Sequence, residues 1–357
     1  MQTITVALGA KTYKIEIAAG LLDQVGAKAR QLSGASKAAI ISDSNVDPLY
    51  GDRLEHSLAA SGFAVTRIVF AAGEQSKNLA TLGAVYDSLA QAGLTRSDLL
   101  LTLGGGVTGD LGGLAAATFL RGIDFIQVPT SLLAQIDSSV GGKVAVDLPA
   151  GKNLVGSFYQ PKAVFIDPDL LGTLPLRFLH DGLGEAIKYG CIRDAQLFDR
   201  LAGLVDDQDL LRHSDSIIAD CCAIKARIVE KDEFDTGERM LLNFGHTIGH
   251  AIEKCCGFST YTHGEGVGIG MVQLTRQTEK MGLTAPGTTA RLISVLQKFN
   301  LPTAADFAAA QILQAITLDK KKSGSQITLV LIEKIGVGRL HKIAWQELPA
   351  YLGQESI

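Results

Sequence analysis

Short apolar runs alternate with helical patterns along the first half of the chain. The apolar runs predict strands at 38–42, 64–70, 98–103, 124–129 and 163–167, and the segments between them predict helices at 45–60, 78–92 and 107–118. Strands that alternate with helices predict a mostly parallel, Rossmann-like sheet with helices on both faces. An opening hairpin, residues 3–8 and 13–17, is expected at one edge of that sheet.

The pattern changes after about residue 172. Long helical patterns run from 176 to about 319, and one β-rich segment, 326–340, predicts a closing hairpin. We therefore predict two domains, an α/β domain at residues 1–174 and a helical, all-α domain at residues 175–357. In such an arrangement, a ligand is expected in the cleft between the domains and at the carboxyl ends of the parallel strands.

Composition agrees with a two-domain globular protein and excludes several classes. The chain has 357 residues, 46% hydrophobic and 20% charged, and its formal net charge of −4 gives no basic excess that would indicate nucleic acid as a partner. It lacks an apolar run of about 18 residues and a signal-peptide pattern, which predicts a cytoplasmic protein that does not span or bind a membrane. The five cysteines include no CxxC pair, so neither a disulfide framework nor a cysteine-rich zinc site is expected.

A glycine-rich turn, GGGVTGDLGG (104–113), directly follows the most apolar predicted strand. Glycines let backbone N–H groups approach an anion, and the following helix adds the positive end of its dipole. A glycine-rich turn alone is a weak signal, and a purely structural turn is the alternative. Polar residues also follow neighbouring strands: Asp43 and Asn45, then Glu74 and Lys77, then VPTS (128–131). Together these strand ends predict one extended ligand, and a dinucleotide fits.

A basic segment, residues 138–158, carries Lys143, Lys152 and Asn153 among glycines and small residues. Asp137 lies just before it, and Arg121 lies further upstream. A solvated surface loop is the alternative interpretation, but its cations are flanked by apolar and small residues. Several cations in such a loop suit a phosphate group.

A narrow polar stripe distinguishes the segment 237–253, which we predict to be one continuous helix. At 100° per residue, Arg239, Asn243, His246 and His250 fall within an arc of about 60°, while apolar residues cover most of the remaining surface. Buried arginine and histidine side chains need partners, so the stripe predicts a functional site. A structural hydrogen-bonding stripe is the alternative.

Further groups complete a candidate metal site. Glu185 and Lys188 share one face of a predicted helix, and His263 opens another helix. A glutamate and two histidines form a catalytic divalent-metal set, but spacing alone does not choose two ligands from His246, His250 and His263. With a dinucleotide turn and several cations, the sequence indicates NAD- and metal-dependent chemistry on an acidic, sugar-like substrate. It does not show whether NAD is consumed.

Seven ordered stretches resemble the 3-dehydroquinate synthase family, sugar phosphate cyclases of the shikimate pathway. They are GEQSK (73–77), GGGVTGD (104–110), RGIDFIQVPTSLLAQIDSSVGGK (121–143), GKNLVGSFYQP (151–161), GEAIKYG (184–190), LNFGHTIGHAIE (242–253) and HGEGVGIGM (263–271). The resemblance implies an NAD-binding α/β domain and a helical metal- and substrate-binding domain. It implies Zn²⁺ or Co²⁺ on Glu185, His246 and His263.

The resemblance also implies roles for residues outside the metal set. It implies catalytic positions at Asp137, Lys143, Lys188, Arg239, Asn243 and His250. It implies substrate contacts at Arg121, Lys152, Asn153, Lys225 and Lys321. It implies that NAD is lined by Asp43, Asn45, Glu74, Lys77, Gly105, Gly106, Val107, Asp110, Thr130, Ser131, Lys143, Lys152, Leu170 and Thr173. Because Arg121 in such enzymes reaches across a subunit interface, a homodimer is expected.

The implied reaction converts 3-deoxy-D-arabino-heptulosonate 7-phosphate, a phosphorylated sugar acid, to 3-dehydroquinate and phosphate. The implied steps are transient oxidation by NAD, β-elimination of phosphate, re-reduction and an intramolecular aldol closure. Because re-reduction returns the hydride, NAD is not consumed. The rival hypotheses are another sugar phosphate cyclase, an NAD- and metal-dependent oxidoreductase like glycerol dehydrogenase, and a non-catalytic NAD-responsive binding protein.

Overall fold

The computed structural model describes residues 1–257, 260–320 and 325–353, and the chain forms two compact units. The sheet unit comprises Met1–Leu174 and Ser214–Phe234, and the helical unit comprises Pro175–His213 and the chain from Asp235 onward. The sequence prediction placed all of 175–357 in one domain. It did not anticipate that residues 214–234 return to the sheet unit.

The strands and helices follow the predicted order along the chain. The strands are β1 Gln2–Val6, β2 Tyr13–Ile17, β3 Lys37–Asp43, β4 Ala64–Phe70, β5 Leu99–Gly104, β6 Asp124–Pro129, β7 Lys143–Leu148, β8 Gly151–Phe158, β9 Ala163–Ile166, β10 Gln326–Lys334 and β11 Val337–Ala344. The α-helices are α1 Val25–Leu32, α2 Asp52–Ala60, α3 Leu79–Gln91, α4 Gly106–Thr118, α5 Leu176–Arg193, α6 Ala195–Gly203, α7 Asp207–Arg212, α8 Ser214–Lys231, α9 His246–Cys255, α10 His263–Lys280, α11 Thr288–Lys298, α12 Ala309–Lys320 and α13 Leu348–Leu352.

The sheet unit is built on a seven-stranded sheet in the order β1-β2-β9-β6-β5-β3-β4. The β1–β2 pair is antiparallel, and every other neighbouring pair is parallel. This confirms the predicted α/β fold, and β1 occupies an edge as the opening hairpin predicted. The central strand β5 is buried along its whole length, because helices cover both faces.

Alternate residues of β5 join two different hydrophobic layers. Leu99, Leu101 and Leu103 pack with apolar residues of α1 and α2, whereas Leu100 packs with those of α3 and α4. Each fully buried leucine contributes about 1.5–3 kcal/mol of transfer free energy. The period-two pattern therefore fixes the register of the strand, since a slip by one residue would exchange the two faces.

Helix α8 packs within the sheet unit although it lies far along the chain. The Cys222 thiol donates to the Gln135 carbonyl oxygen at 3.2 Å, and the Ala7 amide donates to Glu230 Oε1 at 2.7 Å. The thiol of Cys222 is fully buried, and burial raises its pKa to about 12. This cysteine is therefore a packing residue that stays protonated at neutral pH.

Two predicted segments differ from the structure. The basic segment 138–158 contains an antiparallel hairpin, β7–β8, in which Val146 pairs with Val155. The prediction of one continuous helix over 237–253 is wrong. A 3₁₀ turn, Glu238–Asn243, ends at Phe244, and Gly245 adopts a left-handed conformation with φ +80° before α9 begins. Because a side chain disfavours that conformation, glycine is suited to the break.

The helical unit surrounds the closing hairpin that the sequence predicted, now seen as β10–β11. Its helices α5, α9 and α10 carry the candidate site residues. In the part of the chain that the structure describes, no helix is both long and apolar enough to cross a bilayer.

Candidate active site

In the sheet unit, the predicted cofactor residues lie where the chain connections of the sheet diverge. The chain passes from β3 to β4 on one side and from β5 to β6 on the other, and β3 pairs directly with β5. Parallel sheets bind ligands at such a switch point, outside the carboxyl ends of the strands. The Thr108 hydroxyl at the start of α4 donates to Asp43 Oδ2 at the end of β3, at 3.1 Å, and joins the two strand ends.

Glycines open the start of α4 to an anion. A Cβ at Gly105 would lie 3.4 Å from Ser131 Oγ, and one at Gly106 would lie 3.1 Å from Ser138 Oγ. Without side chains, the backbone N–H groups of this helix N-terminus stay accessible and present the positive end of the dipole. The turn therefore fits the pyrophosphate of a dinucleotide.

A lysine links the predicted cofactor and substrate sets within the sheet unit. Lys77 is 5% exposed, and its Nζ lies 2.6 Å from Asp110 Oδ2 and 2.6 Å from Asn153 Oδ1. Burial alone would lower the pKa of Lys77, but the carboxylates of Asp110 and Glu74 outweigh it and raise that pKa. Lys77 is therefore held as a cation at the strand ends.

Asn153 reaches Lys77 because the β7–β8 hairpin brings it there. Its backbone is left-handed, with φ +56°, and its backbone N–H donates to Asp147 Oδ1 at 2.7 Å. Lys152, the preceding residue, places its Nζ 3.5 Å from Glu74 Oε1. The structure thus brings the predicted basic segment to the predicted cofactor residues.

The other predicted cofactor residues lie around the same strand ends, and their roles remain predictions. Asp43 Oδ1 accepts the backbone N–H groups of Asn45 and Val46, so part of this carboxylate caps the turn that follows β3. The Thr173 hydroxyl lies 2.5 Å from the Tyr50 hydroxyl, which also donates to the Leu170 carbonyl. Tyr50 was not predicted, because an isolated tyrosine in a helical pattern carries no chemical signal. Thr130 is buried, and Val107 and Ser131 are half-buried.

A second buried cation lies on α8. Lys225 is 5% exposed, and its Nζ donates to the Asp137 carbonyl oxygen at 2.7 Å and to Asp137 Oδ1 at 2.9 Å. The structure brings these two predicted residues together. Lys143 is exposed at the start of β7, and Arg121 is exposed with a left-handed φ of +68°.

The helical unit holds the candidate metal set. Glu185 of α5 has its Oε1 3.5 Å from His246 Nε2 and 3.6 Å from His263 Nε2. One ligand atom from each of the three residues lies within 4.8 Å of the other two. Lys188, which is 1% exposed, forms an ion pair with the other carboxylate oxygen of Glu185. These are the nitrogen and oxygen donors that Zn²⁺ binds in catalytic sites, so the set fits a divalent metal.

Glycine contacts bring the three helices close enough for these side chains to meet. A Cβ at Gly264 would lie 1.9 Å from the Asp181 carbonyl oxygen of α5, and a Cβ at Gly184 would lie 2.8 Å from the Gly264 carbonyl oxygen. At the α9–α10 crossing, a Cβ at Gly249 would lie 2.9 Å from the Gly266 carbonyl group. The helices therefore touch backbone to backbone.

The two histidines of the set have different electrostatic environments. Burial and the Lys188 ammonium hold the pKa of His246 well below its usual value, so this ring is neutral and able to bind a metal. Burial also opposes a charge on His263, but the carboxylates of Glu185 and Glu253, at 3.6 and 3.7 Å from its ring nitrogens, outweigh it and raise its pKa to about 10. The cluster therefore attracts positive charge to the position where a metal ion would bind.

Glu253 is a site residue that sequence reasoning missed. It is 3% exposed, and its Oε2 lies 2.8 Å from His250 Nδ1. The available signal was a glutamate three residues after His250, which places both side chains on the same face of α9. His250 and Asn243 are exposed, and together with His246 they line a cavity of about 450 Å³ whose far wall includes Thr328 and Trp345.

Arg239 does not lie on the same helix as the histidines of the predicted stripe. Arg239 is 2% exposed and lies in the 3₁₀ turn before Gly245, so it is not on the helix that carries His246 and His250. The predicted 60° arc, which assumed one helix, is therefore wrong for Arg239 and Asn243. Lys321 lies outside the described residues.

Two sequence-family models match adjoining parts of the chain. The 3-dehydroquinate synthase N-terminal model matches residues 67–181, and the 3-dehydroquinate synthase C-terminal model matches residues 182–322. The chain belongs to the 3-dehydroquinate synthase family. The resemblance predicted from the seven motifs is confirmed.

Curated relatives of the same family match the chain over nearly its full length. The 3-dehydroquinate synthase of Clostridium acetobutylicum is 51% identical over 99% of both chains. The 3-dehydroquinate synthase of Enterococcus faecalis strain OG1RF is 48% identical, again over 99% of both chains.

Solved structures of other cyclases share the fold. A 2-deoxy-scyllo-inosose synthase in complex with carbaglucose-6-phosphate, NAD⁺ and Co²⁺ superposes with a TM-score of 0.86 at 24% identity, covering 98% of this chain and 99% of that one. ValA, the 2-epi-5-epi-valiolone synthase of Streptomyces hygroscopicus with NAD⁺ and Zn²⁺ bound, gives 0.85 at 26% identity over 97% of each chain. The structure described as a probable glycerol dehydrogenase from Sinorhizobium meliloti gives a TM-score of 0.57 at 17% identity, covering 85% of this chain and 88% of that one. The family models and the curated relatives do not favour the oxidoreductase alternative.

Proposed function

We propose that this member of the 3-dehydroquinate synthase family converts 3-deoxy-D-arabino-heptulosonate 7-phosphate to 3-dehydroquinate and phosphate, with NAD and a divalent metal as cofactors. The observation that carries the proposal is the set of Glu185, His246 and His263, in which the fully buried Glu185 pairs with Lys188, in a chain that both domain models of the family match. The complex of ValA with NAD⁺ and Zn²⁺ supports both cofactors.

The helical unit contributes the metal ligands. Glu185, His246 and His263 would hold the ion, which when bound supplies a Lewis acid that lowers the pKa of a substrate hydroxyl. Lys188 neutralises the second oxygen of Glu185, so the buried carboxylate keeps a favourable partner. Neutral His246 is ready to bind metal without first releasing a proton.

The sheet unit contributes the cofactor site. The N–H groups at Gly105 and Gly106 would bind the pyrophosphate of NAD, which when bound supplies a reversible hydride acceptor. Lys77, held between Asp110 and Asn153, adds a fixed positive charge at the same strand ends.

Each unit, taken by itself, carries charged and amide side chains suited to an anionic group such as the carboxylate or phosphate of the substrate. In the sheet unit, Asp137 orients the ammonium of Lys225, and the β7–β8 hairpin carries Lys152 and Asn153. In the helical unit, Asn243 and His250 line the cavity beside the metal set, and Arg239 lies in the adjoining turn. Cations with fixed partners are preorganised for anionic groups.

Phosphate release measured with NAD⁺ and Zn²⁺ far below the substrate concentration tests the proposal. We expect many phosphates per NAD⁺, no accumulation of NADH, and 3-dehydroquinate as the product. Release that stops at one phosphate per NAD⁺ would instead indicate net oxidation. Sedoheptulose 7-phosphate and glucose 6-phosphate are the controls for other cyclases, and efficient turnover of either would overturn the substrate assignment.

We also propose that the protein acts as a cytoplasmic homodimer in which Arg121 serves the site of the partner subunit. Leu120 and Arg121 both have left-handed φ angles, +52° and +68°, and Leu120 stays 40% exposed, which suits a contact with a second chain. Sedimentation equilibrium tests the dimer. Co-expression of Arg121→Ala with Glu185→Gln tests the shared site, because mixed dimers regain one complete site only if Arg121 acts across the interface.

A further inference from the structure

A buried carboxylate stands behind the candidate metal set. Glu253 Oε2 lies 2.8 Å from His250 Nδ1 and 3.7 Å from His263 Nδ1. His263 turns its other ring nitrogen, Nε2, toward Glu185 at 3.6 Å. The imidazole of His263 is therefore placed between two carboxylates, one in the metal set and one outside it.

The ring nitrogens of a neutral histidine have different capacities. One carries a hydrogen and donates, and the other carries the lone pair that binds a metal. A carboxylate beside Nδ1 favours the tautomer with hydrogen on that nitrogen, which leaves the lone pair on Nε2. When a metal ion takes the place of the hydrogen on Nε2, Glu253 lies on the side of His263 that retains the hydrogen on Nδ1 and leaves Nε2 to bind the metal beside Glu185.

We propose that Glu253 is a positioning residue that fixes the orientation and tautomer of His263, a predicted metal ligand, and of His250, a predicted catalytic residue. One buried carboxylate thus holds residues of both sets. The inference rests on the proposed metal site, but it assigns Glu253 a role outside the metal ligands. His250 and Glu253 lie on α9, and His263 begins α10. The contact of Glu253 with both histidines therefore depends on the close glycine crossing between these two helices.

A different interpretation of the same geometry makes a contrasting prediction. His250, Glu253 and His263 also lie close enough to form a second metal set of their own. If they did, two ions would bind per chain. If Glu253 only positions the histidines, one ion binds per chain, and loss of the carboxylate weakens its affinity by about 10–100-fold without changing the stoichiometry.

Zn²⁺ affinity measured by competition with a chromophoric chelator tests the proposal in the full-length protein. We expect Glu253→Gln to weaken Zn²⁺ binding by about 10–100-fold and Glu253→Asp to recover part of the loss. Glu265→Gln is the matched control, because Glu265 lies two residues from His263 but binds Arg177 at 2.8 Å and the Thr262 amide at 2.9 Å. Thermal unfolding without metal checks that each variant is folded.

The outcomes separate this inference from the proposed function. A wild-type protein that binds no Zn²⁺ would refute the metal site itself. Normal binding by wild type with unchanged affinity in Glu253→Gln would overturn only the positioning role, as would two ions per wild-type chain. An equal loss in Glu265→Gln would show that helix stability, and not the Glu253 carboxylate, controls the affinity. In ¹⁵N spectra of the Zn²⁺-loaded wild type, the proposal requires the hydrogen of His263 on Nδ1.

Discussion

Replacing Gly264 with alanine should damage both the stability of the helical unit and its metal site. A Cβ at this position would lie 1.9 Å from the Asp181 carbonyl oxygen, whereas ordinary contacts begin at 3.4 Å. The clashing atom belongs to the backbone of α5, so no side-chain rotation relieves it. The Gly264 amide also donates to Asp181 Oδ1 at 2.6 Å, and a displaced α10 would lose that hydrogen bond.

The magnitude follows from these two contacts. Overpacking in a well-packed interior costs about 1–3 kcal/mol, and loss of a hydrogen bond to a carboxylate costs about 1.5–3 kcal/mol. The free energy of unfolding should therefore fall by about 3–6 kcal/mol, which lowers the midpoint of thermal unfolding by on the order of 10 °C in a unit of this size. Because metal sites tolerate ligand shifts of only about 0.2 Å, Zn²⁺ affinity should fall as well.

Calorimetry in the presence of a chelator measures the stability change, and chelator competition at a temperature where the variant is folded measures Zn²⁺ affinity. Gly203→Ala is the matched control. Gly203 ends helix α6, and nothing lies within 4 Å of the Cβ that alanine would add. If Gly264→Ala unfolds within about 2 °C of this control, the close α5–α10 contact and the reasoning from it are wrong.

Three other substitutions test separate parts of the structure. Glu185→Gln should lose Zn²⁺ from its high-affinity site, and retention of one ion per chain after gel filtration would contradict the ligand assignment. Lys77→Met should lower the free energy of unfolding in urea by about 3–5 kcal/mol by leaving Asp110 without its cation, and Asp110→Asn in the same chain should restore part of the loss. Asp98, 3% exposed, has its pKa lowered because hydrogen bonds from Thr95 and the Lys37 amide outweigh its burial. Its ionised form therefore stabilises the fold above the ordinary aspartate pKa. In urea titrations, the loss in free energy of unfolding caused by Asp98→Asn should become smaller as the pH falls from 7 toward 3. A loss that stays constant over this pH range would refute the argument.

The sheet could be predicted from the sequence because its strands are buried on both faces. Such strands appear as short apolar runs separated by helices, and the predicted strand at 98–103 lies within one residue of β5, Leu99–Gly104. The β7–β8 hairpin was missed because its glycines and lysines resemble a loop. Val144, Ala145 and Val146 are all buried, so β7 shows no alternation of apolar and polar residues, and three apolar residues are too short a run to outweigh that composition.

The helical part of the site was predicted less well. The spacing of Glu185 and Lys188 correctly placed both on one face of α5, where they form a buried ion pair. The helical wheel drawn through Arg239 and His246 failed, because Gly245 interrupts the helix. A helical wheel assumes regular backbone angles, and a single left-handed glycine removes the phase relation between the residues on either side.

The glycines of α9 and α10 show why the remainder of the site depends on the tertiary fold. Gly249, Gly264, Gly266 and Gly270 lie inside helices, where each costs about 0.5–1 kcal/mol relative to alanine. The sequence shows this cost, but it does not show what offsets it. In the structure, the built Cβ at each of these positions lies within 3.2 Å of atoms of another helix or of the turn before α9. Alanine would therefore force the helices apart, and the histidines that begin α9 and α10 would no longer meet Glu185 within 4.8 Å. The lower local helix stability thus accompanies a close helix packing that brings three predicted metal ligands from distant parts of the chain together.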